Sequence, residues 1–190
     1  MDINDEDTTH FNVVDKDRNA VSCTHTGVFT AGVNAHGTGA YLVGGMGWFI
    51  PKGGYPNSLG SWKRPMNNMA PSMVFRDGKP VLCQGAPGAR RIMNRNVQVI
   101  TNIVVFGMSP QEAILAPAID TSGKDTLVDC RVPDEVVAEL ERRGHRIKLV
   151  EDQPGMPSNF ARPSAIQIDY ETGLLRAGVD PYRPTMALGY

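Results

Sequence analysis

Three pairs of short, strand-prone segments, each closed on itself by a polar turn, restrict the folds open to this chain. The first pair spans residues 8–15 and 19–26 and turns at Asp15-Lys16-Asp17-Arg18-Asn19. The second spans 71–76 and 79–84 around Arg76-Asp77-Gly78, and the third joins Ala165–Asp169 to Leu174–Ala177 around Glu171-Thr172-Gly173. Short alternating runs bounded by such turns are hairpin signals. Between the second and third pairs the period changes to helical. Ile92, Val99, Ile103 and Phe106 predict a helix over about 90–106, stopped by Gly107. Ser109-Pro110-Gln111-Glu112 is a capping box with proline at the first helical position, opening a short helix to about Ala116. Pro133-Asp134-Glu135 starts another, with Val136, Val137 and Leu140 apolar and Gly144 as its stop, and His145–Val150 reads as a strand. Hairpins on both sides of a helical segment predict a layered α+β domain with an antiparallel sheet. Residues 27–66 form the longest stretch outside this pattern. They are Gly-rich and irregular, with one short apolar strand near Ala40-Tyr41-Leu42-Val43, and a loop of that length points to function or to a partner surface.

Composition removes several classes of function. A chain of 190 residues suits one domain with a sizeable core. Its net charge of −1, with the two signs interspersed, predicts neither a nucleic acid nor an anionic membrane as partner. Its apolar runs of four or five residues are too short for a membrane span. Met1 is followed by Asp2, Asn4, Asp5, Glu6 and Asp7, unlike a basic-then-apolar signal peptide. The expected compartment is the cytoplasm, or the periplasm or exterior if an export signal lies on another segment. Cys23, Cys83 and Cys130 cannot all pair within the chain, and Cys23 and Cys83 sit in apolar strand patterns as expected buried thiols. No CxxC, HExxH or similar ligand spacing occurs, so neither a metal nor a cofactor is expected.

The opening of the first hairpin is chemically unusual. Thr8-Thr9-His10-Phe11 begins a strand directly behind the acidic run Asp5-Glu6-Asp7. β-branched residues favour strands and acidic residues favour loops, which suffices for a structural explanation. A chemical one also exists: a threonine freed of the residues before it carries a hydroxyl nucleophile and an α-amine base on one residue. His10, His25, His36 and His145 offer no Ser-His-Asp order and read singly as structural or surface residues. Gly85-Ala86-Pro87-Gly88-Ala89-Arg90-Arg91, after a strand and before a helix, is a glycine turn whose backbone N–H groups suit a phosphate, a carboxylate or a developing oxyanion.

Taken together, these segments resemble the small subunit of γ-glutamyltranspeptidases. The likeness runs through Thr8-Thr9-His10-Phe11, Val13-Val14-Asp15, Asn19-Ala20-Val21-Ser22 and Thr24 with Thr26. It continues in Gly39-Ala40-Tyr41-Leu42, Met46 with Phe49, Lys63-Arg64-Pro65, Met69-Ala70-Pro71-Ser72 and Gly85-Ala86-Pro87-Gly88 with Arg91-Ile92. It ends in Asp180-Pro181, Arg183 and Gly189-Tyr190, covering essentially Thr8 to Tyr190 in the family's order and at nearly its spacing.

The resemblance implies an N-terminal-nucleophile hydrolase fold, an αββα sandwich of two stacked antiparallel sheets between helix layers. It implies a self-processing precursor cut between Asp7 and Thr8, so that residues 1–7 are a linker remnant and 8–190 the catalytic small-subunit domain. A large subunit from the upstream part of the precursor would complete the sheets and the pocket, with a heterotetramer possible. The expected substrate is a small-molecule amide. By this likeness Thr8 is nucleophile and α-amine base, Thr26 orients it, and the N–H groups of Gly88 and Ala89 form the oxyanion hole. The freed α-amine has a reference pKa of about 7.7–8.0, near the optimum for a general base at working pH.

The recognition residues depart from the family. Transpeptidases hold the glutamate α-amine with an asparagine, a glutamine and an aspartate, where this chain has Val28, Gly45 and Trp48. None of these offers a side-chain oxygen, and an ammonium group without acidic partners is costly to bury. The family's paired serines are replaced by Asn67 and Asn68, whose N–H₂ donors suit a carboxylate or an amide. The second glycine of the oxyanion turn is Ala89. The residues thus predict an amide hydrolase of altered specificity. The alternatives are a true γ-glutamyltranspeptidase or glutathione hydrolase, with the missing contacts on the upstream chain, and an uncleaved, non-catalytic relative serving as a binding or scaffold protein.

Overall fold

Strands from the second and third predicted hairpins form the central sheet of the computed structural model, which describes residues 8–27, 30–154, 156 and 158–189. Asp7 and Val28 lie outside the described residues, as do the rest of 1–6 and the cleavage-site expectation attached to them. Strands β5 (Ser72–Arg76) and β6 (Lys79–Gly85) pair antiparallel, as do β10 (Ser164–Ile168) and β11 (Leu175–Val179). β10 also pairs with β6, so the sheet order is β11-β10-β6-β5. The β5–β6 turn takes positive φ at both Asp77 (50°) and Gly78 (74°), the geometry whose twist matches its flanking strands.

Successive residues of a strand face opposite ways, and β6 shows what each face buries. Leu82 packs with Val99, Ile103, Ala113 and Ile114 of helices α1 (Ile92–Val104) and α2 (Pro110–Leu115). Cys83 faces the other way, where it packs with Val14 and Ile168. Val14 belongs to the first hairpin, β1 (Thr8–Val14) with β2 (Ala20–Thr26), which forms a separate two-stranded sheet. The order of layers is therefore helices, four-stranded sheet, hairpin. Polar side chains also join hairpin to sheet: the Asn12 amide donates to the Ser164 carbonyl at 3.0 Å, the Ser22 hydroxyl to the Gln84 carbonyl at 3.1 Å, and Arg18 in the hairpin's turn to the Gly173 carbonyl between β10 and β11.

The capping box forms as its sequence predicts. Glu112 N–H reaches Ser109 Oγ at 3.4 Å, while the Ser109 hydroxyl and N–H both donate to Glu112 Oε2, at 2.7 and 2.8 Å. The hydroxyl first, then the N–H, holds the Glu112 carboxyl below its usual range. Within the same turn, Gln111 pairs with the backbone of Val179 through both its Nε2 and its Oε1, closing an edge of β11 with a side-chain amide.

Several expectations need correction. The chain turns once as a 3-10 helix at Ala89–Arg91 before α1 begins, and α1 ends two residues short of Phe106. The irregular span holds two strands, β3 (Thr30–Asn34) and β4 (Tyr41–Val43), paired with each other. A fourth sheet, β7 (Ile119–Asp120), β8 (Thr126–Asp129) and β9 (Ile147–Val150), includes a parallel β8–β9 pair joined through helix α3 (Asp134–Arg142). β7 and β8 are two and four residues long, too short to show a period. Their pairing is supplied by distant contacts. All three cysteines are free: Cys83 is buried as expected, whereas Cys23 is half-buried and Cys130 exposed.

Apolar residues remain uncovered on both outer faces. Phe11 (47% exposed), Val13 (52%) and Val21 (50%) share the outer face of the hairpin, and Met93 and Val97 lie on the outside of α1. No helix among the described residues is long and apolar enough to cross a membrane.

Candidate active site

The register of the first hairpin creates the central contact of the site. β1 and β2 pair with Thr8 opposite Thr26, and cross-strand partners project their side chains to the same face. Their hydroxyl oxygens lie 2.9 Å apart, within hydrogen-bond range. A threonine has few χ1 choices, so a hydroxyl partner opposite fixes where Thr8 Oγ1 points. Thr8 opens a groove of 520 Å³ that runs past Asn12, Pro87, Arg162 and Ser164 to the C-terminal segment Arg183–Leu188.

The glycine turn enters beside this groove through Pro87. Gly88 adopts φ 141°, and a Cβ on it would stand 2.5 Å from both Cα and Cβ of Ala161, so the turn lies directly on that residue. Ala89 has φ 51°, a left-handed conformation that costs an L-residue roughly 1–2 kcal/mol. The backbone demands a glycine-like geometry here, and the chain supplies alanine. Arg91 N–H donates to the Gly88 carbonyl at 3.1 Å and begins the helical turn.

The other recognition positions lie elsewhere. Gly45 and Trp48 bound a 3-10 helix, and the Trp48 carbonyl accepts from Asn57 Nδ2 at 2.8 Å. Asn67 Oδ1 accepts from Met69 N–H at 2.9 Å, whereas Asn68 Oδ1 is buried with no hydrogen-bond partner. None of these four residues lines the groove beside Thr8. Asn67 and Asn68 are close in sequence to Ala70, which packs on Ala86, Ile92 and Ala161 under the glycine turn. Val28 is outside the described residues.

His10, two residues along the same face of β1, proves to be the centre of a polar network between layers. The Asn12 amide nitrogen is committed to the Ser164 carbonyl, which leaves Asn12 Oδ1 as an acceptor facing His10 Nε2 at 3.2 Å. His10 Nε2 must therefore carry the proton, and Nδ1 accepts from the Thr24 hydroxyl at 2.7 Å. The ring lies flat against Gly85, where a Cβ would approach its Cε1 to 2.2 Å. Burial pushes the His10 imidazole below its ordinary value of 6.5, so the fold holds the neutral ring. The unfolded chain then takes the proton first as pH falls, so the His10 contribution to stability is complete above about pH 6.5 and declines below it. Urea midpoints measured from pH 8 down to pH 5 should fall more steeply for the native protein than for His10→Gln. Parallel slopes would mean that His10 titrates alike in both states.

Sequence reading placed Thr8, Thr26 and the glycine turn in view but had no motif for Asn12, Ser164 or Arg162. Asn12 and Ser164 meet across 152 residues. No local pattern announces a contact of that kind.

The γ-glutamyltranspeptidase family model matches residues 1–190. The chain is 41% identical over 122 residues to the glutathione hydrolase proenzyme of Pseudomonas sp. strain A14, covering 58% of this chain and 21% of that protein. It is 38% identical over 143 residues to the acylase ACY 1 proenzyme of Pseudomonas sp. strain V22, covering 74% of this chain and 26% of that protein. The chain thus spans about a quarter of the length of these curated relatives. Among solved structures it is similar to the γ-glutamyltranspeptidase of Pseudomonas nitroreducens complexed with L-DON, with a TM-score of 0.76 and 29% identity over 96% of this chain and 99% of that one. It is also similar to the cephalosporin acylase of Bacillus halodurans, with a TM-score of 0.78 and 29% identity over 91% of this chain and 32% of that one.

Proposed function

The chain belongs to the γ-glutamyltranspeptidase family, and on that premise we propose that it is the nucleophile-bearing part of a self-processing N-terminal threonine amidohydrolase. The observation that carries the reading is the 2.9 Å contact between the Thr8 and Thr26 hydroxyls at the mouth of a groove.

Cleavage between Asp7 and Thr8 frees the Thr8 α-amine. The amine takes the proton of Thr8 Oγ1, and the oxygen attacks the amide carbonyl. Negative charge collects on the carbonyl oxygen, where the N–H groups of Gly88 and Ala89 stabilise it. Collapse returns the proton to the departing amine and leaves an acyl ester on Thr8. Water, activated by the same α-amine, then hydrolyses the ester. Thr26 holds the nucleophile in its attacking rotamer throughout. The left-handed backbone of Ala89 fits this role, since an N–H aimed at a reacting oxygen is a common reason for holding a residue in strain.

Specificity is read from the sequence positions and not from the groove of this chain, which Gly45, Trp48, Asn67 and Asn68 do not line. Val28, Gly45 and Trp48 lack the oxygens needed for an α-ammonium group, and the amides of Asn67 and Asn68 suit a neutral or anionic group. An acyl chain without a charged α-amine is the preferred substrate class, with water as acceptor. The exposed faces of the hairpin and of α1 support a large-subunit partner from the upstream part of the precursor.

The second reading, a true γ-glutamyl hydrolase or transferase, is favoured by the likeness to glutathione hydrolase proenzymes. The comparison of kcat/KM for γ-glutamyl-p-nitroanilide with p-nitroanilides of uncharged acyl groups separates the two. One lost charge-assisted hydrogen bond is worth about 1.5–3 kcal/mol, so a roughly ten- to hundredfold preference for the uncharged substrates is expected. Preference for the γ-glutamyl compound would transfer the ammonium site to the upstream chain. A protein retaining residues 1–7 and inert toward both would be the non-catalytic relative.

A further inference from the structure

We infer that Arg162 is a positioning residue for the Gly88–Ala89 turn; this rests on the amidohydrolase reading and adds to it a residue outside the reacting groups. Arg162 meets the turn through its backbone: its N–H donates to the Pro87 carbonyl at 3.0 Å, and the residue before it, Ala161, is the surface on which Gly88 rests. A second strut runs from the turn's far end, where Arg91 Nη1 donates to the Ser158 carbonyl at 2.7 Å. Segment 158–162 is thus the bed of the turn.

The guanidinium holds that bed in place. Its side chain is 3% exposed, with Nη1 2.6 Å from Asp152 Oδ2 and 3.6 Å from Asp180 Oδ2. Nε donates to Ser158 Oγ at 3.1 Å, and the Tyr182 ring stands 5.1 Å from the guanidinium carbon. The two carboxylates come from separate parts of the chain and each is tied to its own surroundings. Asp152 Oδ1 accepts from Asn159 N–H at 2.8 Å, and Asp180 Oδ1 from Tyr182 N–H at 2.9 Å. One side chain therefore locks together the loop before the bed, the bed itself and the segment leading to Arg183–Leu188 in the groove wall. A buried ion pair adds little net stability compared with an apolar replacement, so its main effect is geometric. A displacement of about 1 Å at a reacting group can cost on the order of 10²-fold in rate.

The test uses the full-length precursor after maturation, with Arg162→Met, Arg162→Lys, Tyr182→Leu and, as a control on the more exposed Arg131–Asp129 pair, Arg131→Gln. Thr8 acylation by the preferred p-nitroanilide is followed by burst kinetics and intact mass, alongside KM and the melting temperature. Arg162→Met is expected to slow acylation about 10²-fold with KM changed little. Arg162→Lys should recover part of the rate, Tyr182→Leu should lose a smaller part, and Arg131→Gln should lower the melting temperature at an unchanged rate. Should Arg162→Met fail to mature, the Lys and Leu variants decide. Folded Arg162 variants acylating at the native rate, or a rate loss matched by Arg131→Gln, overturn the inference. A native enzyme that never acylates Thr8 brings down the amidohydrolase reading, and this inference with it.

Discussion

Thr8→Ala should abolish both self-cleavage and amide hydrolysis. The substitution deletes the one hydroxyl on the residue that would carry the freed α-amine, and it removes one oxygen of the 2.9 Å pair with Thr26. Removal of a nucleophile in a comparable acyl-transfer enzyme costs on the order of 10⁶ in kcat. Intact mass after co-expression with the upstream segment should show an uncut precursor for Thr8→Ala and a chain beginning at Thr8 for the native sequence. Thr8→Ser keeps an oxygen at the same place and should retain both reactions at reduced rate, because serine lacks the β-methyl that restricts χ1. Thr26→Ala should slow both reactions without unfolding the hairpin, whose backbone pairing does not depend on it. Full hydrolysis by Thr8→Ala would place the nucleophile elsewhere.

Gly88→Ala should damage both catalysis and stability. The new methyl would lie 2.5 Å from Cα of Ala161, a contact with backbone that a rotamer change cannot relieve, and φ at this position is 141°. Either the turn lifts from Ala161 or the 158–162 segment shifts, and the N–H groups of Gly88 and Ala89 lose their aim in both cases. Displacement of one oxyanion donor corresponds to a loss of about 10²–10³ in kcat, with a further destabilisation of roughly 1–3 kcal/mol from overpacking. Gly173→Ala is the control. It also sits at positive φ, 74°, but a Cβ there meets nothing within 4 Å. It should cost only the backbone term, roughly 1 kcal/mol, and leave kcat unchanged. Equal kcat for Gly88→Ala and the native enzyme would remove the turn from the reaction.

Local chemistry determined the elements whose stabilising groups are close in sequence. Asp77-Gly78 specifies its turn because both positions need positive φ, and Ser109 with Glu112 specifies a helix start because each satisfies the other's backbone donor. Thr26 was named by the family's likeness alone, and that its side chain faces Thr8 follows from the register of the folded hairpin. The order of hairpins and helices already predicted a layered α+β domain, and the family's likeness added the stacking of two sheets within it. What remained for the tertiary structure was every contact between segments far apart in sequence. The parallel pairing of β8 with β9, the neutral tautomer of His10 imposed by Asn12 and Ser164, and the Arg162 junction beneath the glycine turn all depend on partners that become neighbours only after folding. The strain at Ala89 belongs with them. Alanine has no intrinsic preference for φ 51°, and only the packing of Gly88 on Ala161 and the entry into the next helix hold it there.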